Sequence, residues 1–372
     1  MKFVIISHVR HLKKNNKYFG YGPYVREMNI WLKYADEIIV VAPLSEGNPT
    51  AIDLSYIHSS ISFKKTLSFN LISVGDVFLT ILKLPSIFWK IFWAMKVADH
   101  IHLRCPGNMG LMGCIIQILF PSKTKTAKYA GNWDSKSKQS WSYRLQKWIL
   151  SNTFLTKNMQ VLVYGNWENQ SKNIKSFFTA TYSEYEKMSV EKADFKNGIK
   201  FIFVGSLVAG KKPLYAVKLI EALIKNGYNV TLELYGEGEE RNSLENYILM
   251  NKLKEYVVLK GNQNKETLKT SYQKSHFVIL PSKSEGWPKA IAEGMFWGCI
   301  PIVTKVSCVP YMLDSGKRGI LLEMDLNKDI KQVENLIVNQ NIFLEKSQKA
   351  IEWSRNFTTD VFEKEIEKLL IK

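Results

Sequence analysis

The chain has 372 residues, of which 46% are hydrophobic and 23% charged, and its formal net charge is +17. This length is too great for one ordinary hydrophobic core and predicts two domains of about 150 to 200 residues each. The composition is typical of a folded soluble protein, and four cysteines without Cys-x-x-Cys spacing argue against a disulfide or zinc framework.

The first half of the chain alternates short apolar runs with longer helical patterns, which predicts a parallel sheet wrapped by helices. The first apolar run is too short for a secretory signal and is interpreted as the first strand. Strands are predicted at residues 2–7, 37–42, 100–104, 125–130, 159–164 and 177–182. Helices are predicted near residues 23–34, 70–83, 86–97, 108–119 and 138–154.

Residues 77–98 are apolar enough to require a test for a membrane span. Pro85 and three lysines interrupt the run, so a spanning helix of about 20 apolar residues does not fit. Residues 86–97 instead predict an amphipathic, aromatic-rich helix that packs on the sheet. A second interpretation places its aromatic residues partly at a lipid surface. They are Phe88, Trp89, Phe92 and Trp93.

A second alternating set of strands and helices follows the polar segment 184–198, which is interpreted as a linker. The linker separates an N-terminal domain of residues 1–183 from a C-terminal domain of residues 199–355. Strands are predicted at residues 200–205, 229–235, 256–260, 277–280, 301–304 and 319–322. Helices are predicted near residues 213–225, 239–251, 266–274, 288–297 and 308–314, and in the tail from about residue 327. Two successive α/β halves predict a ligand in the cleft between them, at the carboxyl ends of the strands.

The positive charge is concentrated in the N-terminal half. Residues 1–190 carry a net charge of +13, and residues 191–372 carry +4. Clustered basic residues attract anionic surfaces such as phospholipid or a pyrophosphate-linked carrier. Because no nucleic-acid-binding module is recognisable, an anionic membrane or a lipid-linked acceptor is the predicted partner.

The segment 277–303 carries the most informative pattern. An apolar strand ends at Pro281, a short loop carries Glu285, and Pro288 opens a helix with Glu293 near its second turn. A strand–loop–helix joint presents unpaired backbone N–H groups that suit a phosphate. Two carboxylates beside such a joint suit the hydroxyls of a sugar nucleotide, although two surface glutamates at a helix start are the simpler alternative.

The sequence SEGWPKAIAEGMFWG resembles the Glu-x7-Glu signature of family 4 retaining glycosyltransferases, which have the GT-B fold. The resemblance covers most of residues 200–325 and includes FVGSLVAGKKP, LYGEGEER, VVLKG and GILLEMD in family order. It implies two Rossmann-like parallel-sheet domains facing a central cleft. It also implies that the tail, residues 356–372, forms a helix that crosses back to the N-terminal domain.

The resemblance assigns a catalytic pair and a set of donor-binding positions. Glu285 would lie by the transferred sugar, Glu293 would accept hydrogen bonds from the ribose, and Lys211 would neutralise the leaving diphosphate. The family commonly has a second basic residue where this chain has Ser206, which supplies no charge. Trp287 is either a packing residue or a wall of the sugar pocket. The further donor-side positions are Gly205, Gly286, Pro288, Lys289, Gly236, Lys260 and Gly261.

On the acceptor side, the resemblance points to the basic, glycine-bearing segment between the first strand and the first helix. This segment is predicted to be a long mobile loop that carries Gly20 and Gly22. His8, His11 and Arg26 either contact acceptor phosphate or only solvate that loop. Many relatives have a histidine after the strand 125–130; here Asn132 or Asp134 replaces it, or the role is absent. Asp134 as a helix N-cap is the alternative without a functional role.

The sequence therefore predicts a metal-independent glycosyltransferase without a cofactor. It would move a sugar from a nucleoside diphosphate to a saccharide or lipid-linked acceptor in bacterial-type surface polysaccharide assembly. Its expected place is the cytoplasm, including the inner face of the cytoplasmic membrane. Two alternatives remain open: a sugar-nucleotide epimerase of the same fold, and a catalytically silent GT-B binding subunit.

Overall fold

The computed structural model describes residues 1–66, 74–190 and 195–370, with the backbone only for residues 74–83. The chain divides into two compact units, each with its own sheet. The first contains Met1–Phe178 and Phe362–Lys372, and the second contains Thr179–Val361. The last helix, Thr359–Leu370, therefore begins in the second unit and continues in the first.

The first unit is built on a largely parallel sheet whose central strands are fully buried. The strand order is β10-β9-β8-β7-β1-β4-β2-β3-β5, with β6 paired to β4. Its strands are β1 Lys2–Ile6, β2 His11–Lys14, β3 Lys17–Tyr21, β4 Glu37–Glu46, β5 Asp53–Ser55, β6 Ile61–Thr66, β7 His100–Cys105, β8 Thr124–Tyr129, β9 Met159–Tyr164 and β10 Ile174–Phe177. Its helices are α1 Gly22–Trp31, α2 Val74–Val97, α3 Asn108–Ile116 and α4 Trp141–Ser151.

Three predictions for this unit are wrong in detail. Residues 11–21, predicted as a mobile loop, form the antiparallel hairpin β2–β3. Asn15 and Asn16 turn it with positive φ angles of 47° and 61°, which asparagine tolerates in a two-residue hairpin loop. The strand predicted at residues 177–182 is instead β10, which ends at Phe177.

The third difference concerns Pro85, which does not end a helix. Helix α2 runs through it, and the predicted start at residues 70–73 lies outside the described residues. Proline removes one helical hydrogen bond. The turns after Pro85 bury Ile87, Ile91 and Met95 in the core of the sheet, and this packing outweighs the lost bond. Among the described residues, no helix is long and apolar enough to span a membrane.

The second unit contains a six-stranded parallel sheet in the order β13-β12-β11-β14-β15-β16. Its strands are β11 Ile199–Val204, β12 Val230–Tyr235, β13 Val257–Gly261, β14 Phe277–Leu280, β15 Ile300–Thr304 and β16 Ile320–Leu322. Its helices are α5 Pro213–Lys225, α6 Arg241–Met250, α7 Lys265–Lys274, α8 Lys289–Phe296, α9 Val309–Met312, α10 Leu326–Val338 and α11 Gln340–Ser354, followed by α12 Thr359–Leu370. These bounds agree with the predicted elements to within a few residues.

In each sheet the strand order reverses at a central strand, β1 in the first unit and β11 in the second. In the second unit, β11 pairs with β12 on one side and with β14 on the other. In the first unit, β1 pairs with β4 and β7 in the same way. At such a switch point the loops after the two central strands diverge, which leaves a crevice at the carboxyl ends where ligands bind. The fold thus predicts that ligands bind at the loops after β11 and β14 in the second unit, and at the loops after β1 and β7 in the first.

Three buried histidines of the first unit predict that stability falls in mild acid. Burial lowers the pKa of His11 and of His100 from 6.5 to about 4, and it lowers that of His102 well below 6.5. Between pH 6.5 and pH 4 the unfolded chain therefore binds protons that the folded chain does not, so the free energy of unfolding decreases as pH falls. His11 and His100 should each cost roughly 2 kcal/mol by pH 5, and His102 acts in the same direction.

Calorimetric unfolding at a series of pH values from 7.5 to about 4 tests this expectation. A His11→Gln variant should show a shallower decline, because glutamine does not bind a proton in this pH range. Its amide can keep a hydrogen bond to the Tyr56 hydroxyl, which lies 2.9 Å from His11 Nε2. A midpoint that is constant across this range would contradict the expectation.

Candidate functional site

The loops after β11 and β14 meet at the switch point of the second sheet. The backbone N–H of Lys283 donates to the carbonyl of Gly210 at 2.8 Å, which fastens one loop to the other. Lys211 Nζ then lies 2.5 Å from Glu285 Oε1, although the two residues are 74 positions apart. The structure thus brings together the two residues that the sequence predicts to be catalytic.

This ion pair is only partly accessible. The side chain of Glu285 is 7% exposed and that of Lys211 is 28% exposed. A charge at a partly buried position interacts more strongly with an incoming ligand than one in bulk water. Lys211 therefore offers a cation beside a carboxylate that can accept hydrogen bonds from hydroxyl groups.

The glycines after β12 and β13 let the backbone pack tightly against the loop after β11. A Cβ atom on Gly236, whose φ is +143°, would lie 2.0 Å from the carbonyl oxygen of Gly205. Gly236 N–H donates to the carbonyl of Gly261 at 2.9 Å, and Leu207 N–H donates to that of Glu237 at 3.0 Å. Gly205, Gly236 and Gly261 thus form one row at the carboxyl edge of the sheet.

Two predicted donor-side residues lie on this edge with their side chains in different surroundings. Ser206 is exposed in the first position after Gly205. Lys260, near the end of β13, forms an ion pair with Glu233 at 3.1 Å. Ser206 offers a hydroxyl in place of the second basic residue that the resemblance implies.

The start of α8 has no acidic side chain in its first turn. Pro288 is its N-cap residue, with φ −72° and ψ 90°. The carbonyl of Gly286 accepts from Cys308 Sγ at 3.0 Å and from Ser307 Oγ at 3.3 Å, which ties this loop to the residues before α9. Lys289 is the first helical residue and is half-buried.

The ring of Trp287 belongs to an aromatic cluster. It is 6% exposed, stacks on Trp353 with centroids 5.9 Å apart, and meets Phe357 edge-on at 5.3 Å. Trp353 also meets Tyr311 edge-on, and the Arg318 guanidinium lies over the Trp353 ring. Of the two interpretations of Trp287, this environment corresponds to the packing residue.

Glu293 does not contact Lys211 in this structure but is held by hydroxyl groups. It accepts from Thr181 Oγ1 at 2.7 Å and from the Tyr272 hydroxyl at 3.2 Å. The carboxylate and burial both raise the pKa of Tyr272, so that hydroxyl stays a donor. Sequence reasoning did not identify Thr181 and Tyr272, because each lies far from Glu293 along the chain.

A small cavity lies beside Glu293. Its volume is about 20 Å³, which is room for a single water molecule. It is lined by residues 179–182, by Lys289 and Glu293 of α8, and by Phe357. The Glu293 carboxylate thus lies beside a small cavity and accepts hydrogen bonds from hydroxyl groups.

A larger groove of about 490 Å³ lies on the flank of the same sheet. It is lined by β11, β12, β13 and α7 and includes Glu233 and Lys274. Because neither Lys211 nor Glu285 lines it, its size does not make it the candidate site.

In the first unit, His8 lies at the switch point of the sheet. A Cβ atom on Gly107, the residue before α3, would lie 2.7 Å from His8 Nδ1. Burial, together with the nearby Arg104 guanidinium, lowers the pKa of His8 below 6.5. The His8 ring thus lies against Gly107, where the loop after β1 meets the loop after β7.

The predicted glycine loop of the acceptor side is instead ordered structure. Gly20 lies in β3, and its Cβ position would be 3.3 Å from the buried His11 ring. Gly22 begins α1, and its N–H donates to the carbonyl of Ile52 at 2.7 Å. Arg26 is half-buried on α1. These glycines permit close backbone packing, and the prediction that they form a mobile loop is wrong.

Asn132 and Asp134 stabilise the loop after β8. Asn132 Oδ1 accepts from the N–H of Asp134, and Asp134 Oδ1 accepts from that of Lys136, each at 2.9 Å. The N-cap of α4 is Ser140, so Asp134 caps a turn and not that helix. Ala130 N–H donates to the Cys105 carbonyl at 2.6 Å, which holds this loop beside the loop after β7.

A buried charged cluster near the carboxyl ends of β7 and β8 was not predicted. Lys128 Nζ lies 2.7 Å from Glu27 Oε1 and donates to the Phe178 carbonyl at 3.0 Å. Arg104 pairs with the same carboxylate oxygen at 3.3 Å. The sequence signal for this cluster was one basic residue near the carboxyl end of each of two successive predicted strands, Arg104 and Lys128.

A family model matches most of the second unit. Residues 184–357 match the family model of the glycosyl transferases group 1. This match contains Lys211, Glu285 and Glu293. The predicted resemblance to this group of glycosyltransferases is therefore confirmed.

Two curated relatives match parts of the chain. An uncharacterised glycosyltransferase of Methanocaldococcus jannaschii is 25% identical over 189 residues, which are 50% of this chain and 51% of that protein. The Escherichia coli UDP-Gal:alpha-D-GlcNAc-diphosphoundecaprenol alpha-1,3-galactosyltransferase is 30% identical over 146 residues, 38% of this chain and 36% of that enzyme. The chain thus spans about half or less of the length of these relatives.

Solved structures confirm the fold over the whole chain. Anabaena HepE in complex with UDP-glucose superposes with a TM-score of 0.70 at 15% identity, covering 100% of this chain and 99% of HepE. The fold is the predicted GT-B type, with two Rossmann-like parallel-sheet domains.

Proposed function

We propose that this chain is a retaining glycosyltransferase that moves a sugar from a nucleoside diphosphate to a saccharide or lipid-linked acceptor. The observation that carries the proposal is the Lys211–Glu285 pair at the switch point of the second sheet. It lies within the region that matches the group 1 glycosyl transferases. A cation and a hydroxyl-accepting carboxylate side by side suit the two ends of a sugar–phosphate bond.

In the proposed reaction, the bond between the anomeric carbon and the diphosphate oxygen breaks, and negative charge develops on the departing diphosphate. Lys211 would stabilise that charge, which is strongest in the transition state. Glu285 would accept hydrogen bonds from hydroxyls of the transferred sugar. The acceptor hydroxyl oxygen forms the new bond on the same face while its proton passes to the departing diphosphate oxygen, so the anomeric configuration is retained.

The close backbone packing at Gly205, Gly236 and Gly261 supports a donor site at this edge of the sheet. The glycines bring the backbone close enough for a nucleotide to contact main-chain groups. We assign the nucleobase to the region of Lys260 and Gly261, and the ribose to Glu293. The hydroxyl groups of Thr181 and Tyr272 donate to the Glu293 carboxylate in this structure. This supports a role for that carboxylate as an acceptor for ribose hydroxyls.

Nucleoside-diphosphate release on incubation with UDP-, GDP- and ADP-sugars and a panel of acceptors tests the proposal. We expect transfer with one donor class, and an NMR reading of the anomeric carbon in the product should show retained configuration. Activity should persist in EDTA, because lysine and backbone N–H groups take the place of a metal. Epimerisation without transfer, or no turnover with any donor, would overturn the proposal in favour of an epimerase or a silent binding subunit.

The relatives suggest a setting for this activity. The Escherichia coli enzyme acts on a diphosphoundecaprenol-linked sugar, and the HepE structure holds UDP-glucose. We propose a role in surface polysaccharide assembly on the cytoplasmic face of a membrane. The net charge of +13 on residues 1–190 supports contact with anionic lipid there.

Replacing Glu293 by alanine is expected to weaken nucleotide binding. Removing a charged hydrogen-bond acceptor costs about 1.5 to 3 kcal/mol, which is roughly a 10- to 150-fold increase in Kd. The measurement is titration calorimetry with the nucleoside diphosphate that gives the largest thermal shift.

Glu293→Gln separates binding from folding, because its amide oxygen can still accept from Thr181 while its amide N–H can donate to the Tyr272 hydroxyl oxygen. Glu266→Ala, an exposed acid in the first turn of α7, is the matched control and should bind as wild type does. Unchanged nucleotide affinity in a folded Glu293→Ala protein would remove Glu293 from the site.

A further inference from the structure

The outer face of α2 presents a row of aromatic side chains to solvent. Trp89 is 59% exposed and Trp93 is 43% exposed, and Val97 continues the row one turn later at 49%. The opposite face, which includes Ile87, Ile91 and Met95, is buried. One face of the helix is therefore buried in the core of the first unit. The second apolar stripe, on the opposite face, does not pack against that core.

The apolar surface continues from α2 onto two neighbouring loops. Phe92 of α2 contacts Phe120 with ring centroids 5.3 Å apart, and Leu119, beside Phe120, is 57% exposed. Asn158 Nδ2 donates to the Pro121 carbonyl at 3.0 Å, which brings the loop with Phe154 alongside. Phe154 is 74% exposed. We call this group of exposed apolar side chains the tryptophan patch; it consists of Trp89, Trp93, Val97, Leu119 and Phe154.

Lysines surround the tryptophan patch. Lys96 Nζ lies 4.4 Å from the ring centroid of Trp93, and Lys157 Nζ lies 5.2 Å from that of Phe154. Lys123 Nζ donates to the carbonyls of Lys96 and Ala98, so a third cation lies at the end of α2. Lys90 follows Trp89 on the exposed side of the helix.

We propose that the tryptophan patch docks this protein onto the interface of an anionic lipid bilayer. Indole rings prefer the boundary between headgroups and acyl chains, because one edge is apolar and the N–H seeks a hydrogen-bond partner. Lysines can extend their apolar stems over the rings while their charges contact lipid phosphates. The helix would lie in the plane of the interface without crossing it.

The lysines favour lipid over a protein partner. The buried centre of a protein–protein interface is depleted in lysine, since each ammonium would lose its hydration. At an anionic bilayer the same charges add to the attraction. This inference concerns the first unit alone and does not depend on glycosyl transfer by the second.

Flotation of the full chain with vesicles tests the proposal. Phosphatidylcholine vesicles with and without phosphatidylglycerol are the probes. Wild-type protein should float with the anionic vesicles, and Trp89→Ser combined with Trp93→Ser should lower partitioning by about tenfold or more. Lys90→Gln combined with Lys96→Gln should remove the preference for anionic vesicles.

The matched control is Leu249→Ser with Met250→Ser, which removes two exposed apolar residues of the second unit. It should float as wild type does, and all variants should keep the thermal midpoint and nucleotide-induced shift of wild type. Equal binding to both vesicle types, or equal loss in the control pair, would overturn the proposal. A third outcome would also overturn it: wild-type protein forms a dimer by light scattering, the two tryptophan substitutions abolish that dimer, and no vesicle binding is seen. Nucleotide binding is measured separately, so its failure would count against the proposed transfer and not against the patch.

Discussion

Replacing Lys211 by alanine is expected to lower turnover about 30- to 1,000-fold while the protein stays folded. Lys211 Nζ lies 2.5 Å from Glu285 at the switch point of the second sheet, where the departing diphosphate of a sugar nucleotide would lie. A preorganised cation or donor at a developing negative charge contributes about 2 to 4 kcal/mol to the transition state. The loss should therefore fall mainly on kcat, measured as nucleoside-diphosphate release under saturating donor.

Lys212 provides the matched control for this experiment. It is the neighbouring residue and has the same charge, but it is the N-cap of α5, with φ +50°. Lys212→Ala should keep turnover within a few-fold of wild type. Because Lys211→Ala leaves the buried Glu285 without its cation, thermal unfolding of this variant and of the double variant with Glu285→Gln shows whether the loss is one of folding. Wild-type turnover in a folded Lys211→Ala protein would contradict the proposed role.

Replacing Gly236 by alanine is expected to destabilise the second unit and to disturb its donor site. Its φ is +143°, and the added Cβ atom would lie 2.0 Å from the carbonyl oxygen of Gly205, a backbone atom that cannot rotate away. Backbone strain and overpacking each cost about 1 to 3 kcal/mol, so the free energy of unfolding should fall by about 2 to 5 kcal/mol. For a unit of this size, that lowers the midpoint by about 5 to 15 °C.

Gly210→Ala is the control for this substitution. Gly210 lies in the loop after β11, and nothing lies within 4 Å of its Cβ position. The substitution should change the free energy of unfolding by less than about 0.5 kcal/mol. Scanning calorimetry of both variants, with and without nucleotide, provides the measurement. Equal midpoints for the two variants would show that the contact between the loops after β11 and β12 is not needed for stability.

The second unit was predicted well because its signals are local. Strands β11 to β14 are apolar runs that end at or directly before a glycine or proline, and the helices begin within a few residues of the predicted positions. The Glu-x7-Glu segment already contains the strand, the loop and the helix that carry Glu285 and Glu293. Residue types within about ten positions decide such elements, so the sequence alone is sufficient to place them.

The first unit shows where local patterns are insufficient. His11 and Gly20 were interpreted as parts of a loop, because a short polar run with lysines resembles one. Their strands exist because β2 pairs with β4 and β3 pairs with β5, and these pairings join residues more than 30 positions apart. The Asn15–Asn16 turn was the local signal for this hairpin.

The sequence by itself determined two α/β halves, the order of strands and helices in the second half, and the residues that offer a cation and two carboxylates. Only the tertiary structure decided that β11 lies beside β14, which places Lys211 against Glu285. It also decided that Trp287 packs in an aromatic cluster and that Thr181 and Tyr272 hold Glu293. The physical reason is that strand order and side-chain partners follow from burial of apolar surface across the whole chain, whereas propensity and turn chemistry act only between near neighbours.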